Sequence, residues 1–155
     1  MYLLLFLIPL FLPSILATDD YPDGPTGAPL ISIGDAVEGY IDPGDLDYLK
    51  IQLVQGRTYR ITLQALNPPS PDLDAQLFFY SSDGVTKLAD NDDGDEGKNS
   101  RIVWTAAYTG YYYIVAKSFY PAHYGTYVFA AIDLNSCPTS CASLYFEEDF
   151  RLIFY

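Results

Sequence analysis

The sequence predicts an all-β domain, built as an antiparallel sandwich or barrel. Three observations carry that expectation. Apolar and polar residues alternate with a period of two in several short runs. Gly, Pro, Asp and Asn punctuate the chain between those runs. There are 15 tyrosines, a residue suited to half-buried strand positions. No segment shows the 3.6-residue period of an amphipathic helix.

The strands follow in order. Residues 36–41 form a short run ended by Asp42-Pro43-Gly44. Residues 46–53 place Leu49, Ile51 and Leu53 on one face and Tyr48, Lys50 and Gln52 on the other. In 59–66, Tyr59, Ile61, Leu63 and Ala65 oppose Arg60, Thr62 and Gln64. A strand over 75–80 is closed by Ser82-Asp83-Gly84, and strands over 101–105, 111–117 and 126–132 complete the set. A weak echo recurs: Gly56-Arg57-Thr58-Tyr59, Gly110-Tyr111-Tyr112-Tyr113 and Gly125-Thr126-Tyr127 each put Gly before an aromatic-led strand. Gly supplies the turn and Tyr opens the strand, its hydroxyl able to bond nearby backbone. The echo is read as architecture.

At 155 residues the chain suits one domain. With 20 Asp plus Glu against 8 Lys plus Arg, its net charge is −12. That balance argues against nucleic acid, whose phosphates require cationic side chains, and suits cations or a basic partner. Residues 1–17 carry no charged side chain, and a run of Leu, Phe and Ile is followed by Pro9, Pro13 and Ser14. This reads as a signal peptide cut after Ala17, although its start lacks Lys or Arg. The rival is an uncleaved membrane anchor, for which the stretch is short against the roughly 20 residues a span needs, and twice interrupted by proline. The expected product is secreted, with no membrane span after cleavage. In that setting Cys137 and Cys141 could close one small disulfide loop; free thiols or a bridge between chains stay open. Two cysteines without a nearby His are too few for structural zinc.

The acidic residues are clustered rather than spread. Asp19, Asp20 and Asp23 lie in a Pro- and Gly-containing segment that cannot form a helix. Asp42, Asp45 and Asp47 surround Pro43-Gly44, Asp72 and Asp74 form an Asp-x-Asp, and Asp90, Asp92 and Asp93 sit in an acidic run over 90–96. Calcium takes six to eight oxygen ligands, and an Asp-x-Asp on a strand sends both carboxylates to one face, so a pair plus an Asp-rich loop could fill its sphere. The run from Asp90 is not an EF-hand, because its sixth and twelfth positions hold Asp95 and Arg101 instead of Gly and Glu. A polar hairpin tip is the alternative there.

Taken in order, Asp19-Asp20-Tyr21, Gly39, Gly44-Asp45-Leu46-Asp47-Tyr48, Gly56-x-x-Tyr59, Asp72-x-Asp74, Asn91-Asp92-Asp93, Gly110-x-Tyr112-Tyr113 and Gly125-Thr126-Tyr127 resemble the bacterial pre-peptidase C-terminal (PPC) domain family. That family is similar to the collagen-binding domains of clostridial collagenases. The resemblance covers about residues 18–133, leaving 134–155 as a Cys-containing apolar tail. It implies a jelly-roll-like β-sandwich that binds Ca2+. It pairs Asp19, Asp20 and Asp23 with Asp45 and Asp47 in one site, and Asp72 and Asp74 with Asp90, Asp92 and Asp93 in a second. Tyr111, Tyr113, Phe119, Tyr120 and Tyr124 could resemble the aromatic surface of the collagen-binding members, with no motif that specifies collagen.

Catalytic motifs are absent. The sole histidine, His123, lies in a loop, and no Gly-x-Ser-x-Gly, His-Glu-x-x-His or phosphate-cradling Gly loop occurs. The expected function is a secreted, non-catalytic, calcium-binding module that binds an extracellular polymer or a cell-surface component. The alternative is a calcium-stabilised structural subunit that binds copies of itself in a filament or surface layer. In that reading the apolar segment 144–155 adds as a strand to a neighbour, instead of packing on its own sandwich.

Overall fold

The structure, a computed structural model, describes residues 19–66, 73–94, 97 and 99–136. The leader expected over 1–17, Asp72, Cys137, Cys141 and all but the first residues of the tail lie outside those residues. Among the described residues there are eight strands: β1 (Ala36–Ile41), β2 (Asp47–Leu53), β3 (Thr58–Ala65), β4 (Ala75–Tyr80), β5 (Lys87–Asn91), β6 (Ser100–Thr105), β7 (Gly110–Ser118) and β8 (Gly125–Asp133). They form two four-stranded sheets, ordered β1-β8-β3-β6 and β2-β7-β4-β5. Every strand pairing is antiparallel. The expected all-β sandwich is therefore the observed architecture.

Seven strands stand where alternation places them. The eighth, β5, over Lys87-Leu88-Ala89-Asp90-Asn91, is one that alternation does not place, and it takes in the start of the acidic run over 90–96. This strand lies at a sheet edge, with Lys87 and Asp90 exposed and no residue fully buried. A strand with so little to bury carries no apolar alternation for the eye to find. Asp90 is thereby a strand residue, not a loop residue.

The core fills the space between the sheets. Leu49, Ile51 and Leu53 of β2, Leu77 and Phe79 of β4, and Tyr112 and Ile114 of β7 meet Ile61 and Leu63 of β3 and Tyr127 and Phe129 of β8. Phe79 stacks on Tyr112 at 5.3 Å between ring centroids and meets Trp104 edge-on at 5.4 Å. The glycine-led echo acquires a cause here. Each repeat delivers one fully buried tyrosine: Tyr59, Tyr112 and Tyr127. Two of their hydroxyls are satisfied locally. Tyr59 accepts from the Val54 N–H at 3.0 Å, and Tyr112 donates to the Tyr108 carbonyl at 3.1 Å. The third hydroxyl, on Tyr127, has no hydrogen-bond partner, and it points towards the acidic N-terminal segment.

That segment is tied to the sandwich. The Tyr48 N–H donates to the Pro22 carbonyl at 3.0 Å, and the Tyr21 hydroxyl donates to the Glu38 carbonyl at 2.9 Å. Further on, the segment pairs with the outer side of β2: the Ile31 N–H donates to the Lys50 carbonyl at 2.8 Å, and the Lys50 N–H donates to the Pro29 carbonyl at 2.9 Å. This covers an edge that would otherwise offer unpaired backbone to other chains. Among the described residues no helix is long and apolar enough to cross a membrane.

Candidate metal centre

The β1–β2 connection and the N-terminal segment meet at one end of the sandwich. The turn Asp42-Pro43-Gly44-Asp45 closes with the Asp45 N–H donating to the Asp42 carbonyl at 3.1 Å. Gly44 adopts φ 87°, a left-handed conformation that side chains resist. The turn aims the Asp45 carboxylate inward, where it accepts from the Leu46 N–H at 2.7 Å and the Asp42 N–H at 3.2 Å. Asp47 opens β2 two residues later and faces the same interior. From the opposite side, Asp20 accepts from the Tyr40 N–H at 2.9 Å, and Asp19 accepts from the Tyr21 N–H at 3.3 Å.

The result is four carboxylates, on Asp19, Asp20, Asp45 and Asp47, each with one oxygen within 4.8 Å of the others. Calcium–oxygen distances of about 2.3–2.6 Å put ligands on opposite sides of the ion about 5 Å apart, so these oxygens span one calcium sphere. An all-oxygen set favours a hard cation over zinc or copper. Asp23 stands beside the group, accepting from the Leu46 N–H at 3.3 Å. With Asp19, Asp42 and Asp45 it lines a shallow concavity that opens the site to solvent.

Asp47 is the anomalous member. Its residue is 0% exposed, and neither carboxylate oxygen has a hydrogen-bond partner. A buried, uncompensated carboxylate is costly, so buried charges are normally paired or bound to metal. Its surroundings make the charged form harder still. Burial pushes the Asp47 carboxyl up to about 8, the nearby Tyr127 hydroxyl opposes that rise, and Asp45, Asp20 and Asp19 add repulsion. Burial likewise raises Asp45, against the two backbone N–H groups that stabilise its anion. The Tyr127 phenol is raised by burial and by the negative charge of Asp47. A divalent cation would reverse these penalties at once, because it supplies the missing positive charge inside the low-dielectric pocket.

The structure thus brings together four of the five residues expected to share one site, with the fifth, Asp23, at its rim. The second expected group is not brought together in the same way. Among the described residues, Asp74, Asp90, Asp92 and Asp93 do not supply three carboxylates at ligand spacing, and Asp72 lies outside them. Asp90 pairs with Lys87 at 3.0 Å. Asn91 braces the segment after β5, accepting from the Arg101 N–H at 2.9 Å and donating to the Asp93 carbonyl at 3.2 Å.

The five aromatics of the expected surface fall in two places. Tyr111 and Tyr113 lie on the outer face of the β2-β7-β4-β5 sheet, whereas Phe119, Tyr120 and Tyr124 lie at the end of β7 and in the loop before β8. In that loop His123 sits 4.9 Å from Tyr120 between ring centroids. Tyr127 comes beside Asp47, with Gly39 under its ring, in a way their sequence context did not reveal. The glycine-led echo marked Tyr127 for the core, but nothing local indicated that its hydroxyl would end beside Asp47.

No protein-family model matches the chain, and no curated protein sequence matches it. Solved structures do share its fold. The pre-peptidase C-terminal domain of collagenase from Bacillus anthracis is similar with a TM-score of 0.54 and 16% identity, over 73% of this chain and 99% of that one. PliG of Aeromonas hydrophila, a periplasmic inhibitor of g-type lysozyme, is similar with a TM-score of 0.50 and 12% identity, over 68% of this chain and 99% of that one. At such identities the likeness is one of fold. The resemblance read from the ordered motifs holds at that level.

Proposed function

We propose that this chain is a secreted, non-catalytic β-sandwich module that binds calcium through Asp19, Asp20, Asp45 and Asp47 and contacts an extracellular polymer or cell-surface component. One observation carries the calcium reading: Asp47 is fully buried with both oxygens unpartnered, inside a set of carboxylates at calcium-ligand spacing. The fold supports a module rather than an enzyme, since the similar structures are the pre-peptidase C-terminal domain of a collagenase and a lysozyme inhibitor. The uncharged leader over 1–17 supports export.

The test is thermal unfolding of the mature protein in chelator and in calcium. A ligand that binds only the folded state stabilises by RT ln(1 + [L]/Kd), about 2.7 kcal/mol at a hundredfold excess over Kd. A clear upward shift in Tm with calcium, and one calcium per chain by calorimetry, are the expected results. Identical melting in both conditions would refute the site.

A further inference from the structure

The outer face of the β2-β7-β4-β5 sheet holds a feature that the metal centre does not explain. Its residues are those pointing away from the core: Tyr48 and Lys50 of β2, Tyr111, Tyr113 and Lys117 of β7, and Phe78 and Tyr80 of β4. Register places them side by side. Tyr48 is opposite Val115, which is opposite Phe78, while Lys50 is opposite Tyr113, which is opposite Tyr80. The rings are nearly parallel and stacked. Tyr48 and Tyr80 are 6.4 Å apart at 19°, and Phe78 and Tyr80 are 6.4 Å apart at 26°. Beside them Val115, although on the outer face, is only 2% exposed. The face is therefore an aromatic platform, with Tyr111 45% exposed.

Lysines are gathered on this platform. All three lysines among the described residues lie over its rings: Lys50 at 5.3 Å from the Tyr111 centroid, and Lys87 and Lys117 at 5.3 and 5.2 Å from that of Phe78. Two ammonium groups thus share one ring. Lys87 pairs with Asp90, but Lys50 and Lys117 have no carboxylate partner among the described residues. In a chain of net charge −12 with 20 acidic residues, leaving lysines unpaired on one aromatic face is unexpected. Cation–ring contacts at exposed sites are worth only about 0.5–1 kcal/mol, too little to keep an anion away.

We propose that this face binds an acidic polysaccharide, with the rings stacking on sugar faces while Lys50 and Lys117 pair with carboxylates along the chain. Three features favour that occupant. The platform is flat and open, so it suits an extended chain of rings rather than a helix that needs a groove. The rings sit on the two strands β4 and β7 inside the sheet and on β2, whose outer backbone Ile31 and Pro29 already engage, so the ring-bearing strands offer a polypeptide little free edge to pair with. Its few, separated ammonium groups suit sparse charge. A nucleic acid, with a phosphate on every nucleotide, would meet more of the acidic chain's repulsion than a glycan charged only on alternate sugars. This inference rests on the polymer-binding part of the proposed function and names the class of polymer. It does not depend on the calcium site.

The experiment is calorimetric titration of the mature protein with hyaluronan oligosaccharides, which carry a uronate on alternate sugars, at low ionic strength, in chelator and again in calcium. Dextran oligosaccharides, a triple-helical collagen-like peptide and single-stranded DNA serve as the other probes. Binding of the uronate in both conditions, weakened by added salt, is expected. The double variant Lys50→Gln/Lys117→Gln, and separately Tyr111→Ala, should each bind about tenfold more weakly while melting like the wild type. Uronate binding seen only in calcium, or left unchanged in these variants, overturns the proposal. Binding of dextran or the peptide in its place would leave the polymer reading standing and sink the acidic glycan. Preference for DNA, or binding of no probe, would sink both.

Discussion

Gly39 lies directly opposite Tyr127 in the β1–β8 ladder, and the tyrosine ring occupies the space where a side chain at 39 would begin. A Cβ there would stand within 2.7 Å of Tyr127 Cε1, closer than real Cβ atoms approach anything. The glycine is therefore needed for close approach: it lets the phenol cross β1 towards Asp47. Gly39→Ala is expected to overpack the site, costing about 1–3 kcal/mol, and to displace the hydroxyl. Calorimetry should show lower calcium affinity together with lower Tm. Wild-type affinity in this variant would break the link between Gly39 and the centre.

Tyr127→Phe isolates the hydroxyl, because the ring stays and the packing with it. That hydroxyl opposes the rise of the Asp47 carboxyl. Its loss should leave the sandwich folded but weaken calcium binding more at pH 6 than at pH 8, since more of Asp47 must then shed a proton to bind. Equal weakening at both pH values would deny the hydroxyl this role.

Asp47→Asn should separate stability from binding. The neutral amide keeps the shape and removes a buried charge that three other carboxylates repel. In chelator at pH 8 the variant should melt above the wild type, yet gain nothing from calcium. A calcium-induced shift equal to the wild type's would exclude Asp47 as a ligand.

The pH dependence of the chelated protein follows from the same group. An unfolded Asp loses its proton near pH 4, whereas the folded Asp47 holds it up to about 8. Between those values the folded state binds more protons than the unfolded one, so stability falls as pH rises. The wild type, compared with Asp47→Asn to cancel other titrations, should lose Tm steadily from pH 5 to pH 8. Calcium should abolish the decline. Parallel curves for the two proteins would contradict the raised carboxyl.

Asp83 gives a control away from the centre. Its carboxylate caps the β4–β5 turn, accepting from the Thr86 hydroxyl at 2.6 Å, the Thr86 N–H at 2.8 Å and the Val85 N–H at 2.9 Å, and those bonds hold it well below the usual carboxylate range. Asp83→Ala should lower Tm modestly without changing calcium affinity. A change in affinity would mean that the turn and the centre are coupled.

Much of this was legible in the sequence, for physical reasons. Strands that bury one face must alternate, so Leu49-x-Ile51-x-Leu53 and Tyr59-x-Ile61-x-Leu63 declared themselves. Turns that need Gly, Pro or Asp marked the boundaries. The oxygen-ligand chemistry of the Asp clusters was readable from the residues, whereas the pairing of Asp19, Asp20 and Asp23 with Asp45 and Asp47 came from the resemblance to the PPC family. The strand β5 was not legible, because an edge strand with no buried residue has no reason to alternate.

What the sequence alone determined is the period of the strands, the sites of the turns and the oxygen chemistry of the Asp clusters. All of these are properties of residues near one another in the chain. Tertiary structure decided which clusters meet. It drew Asp19 and Asp20 onto Asp45 and Asp47, left Asp90 with Lys87, and threaded Tyr127 past Gly39 towards Asp47, whose buried carboxylate has no hydrogen-bond partner. It also placed Lys50, Lys87 and Lys117, from three different strands, over the rings of one sheet face. Such meetings depend on strand order and register, which are set by the packing of two whole sheets and which no short stretch of sequence contains.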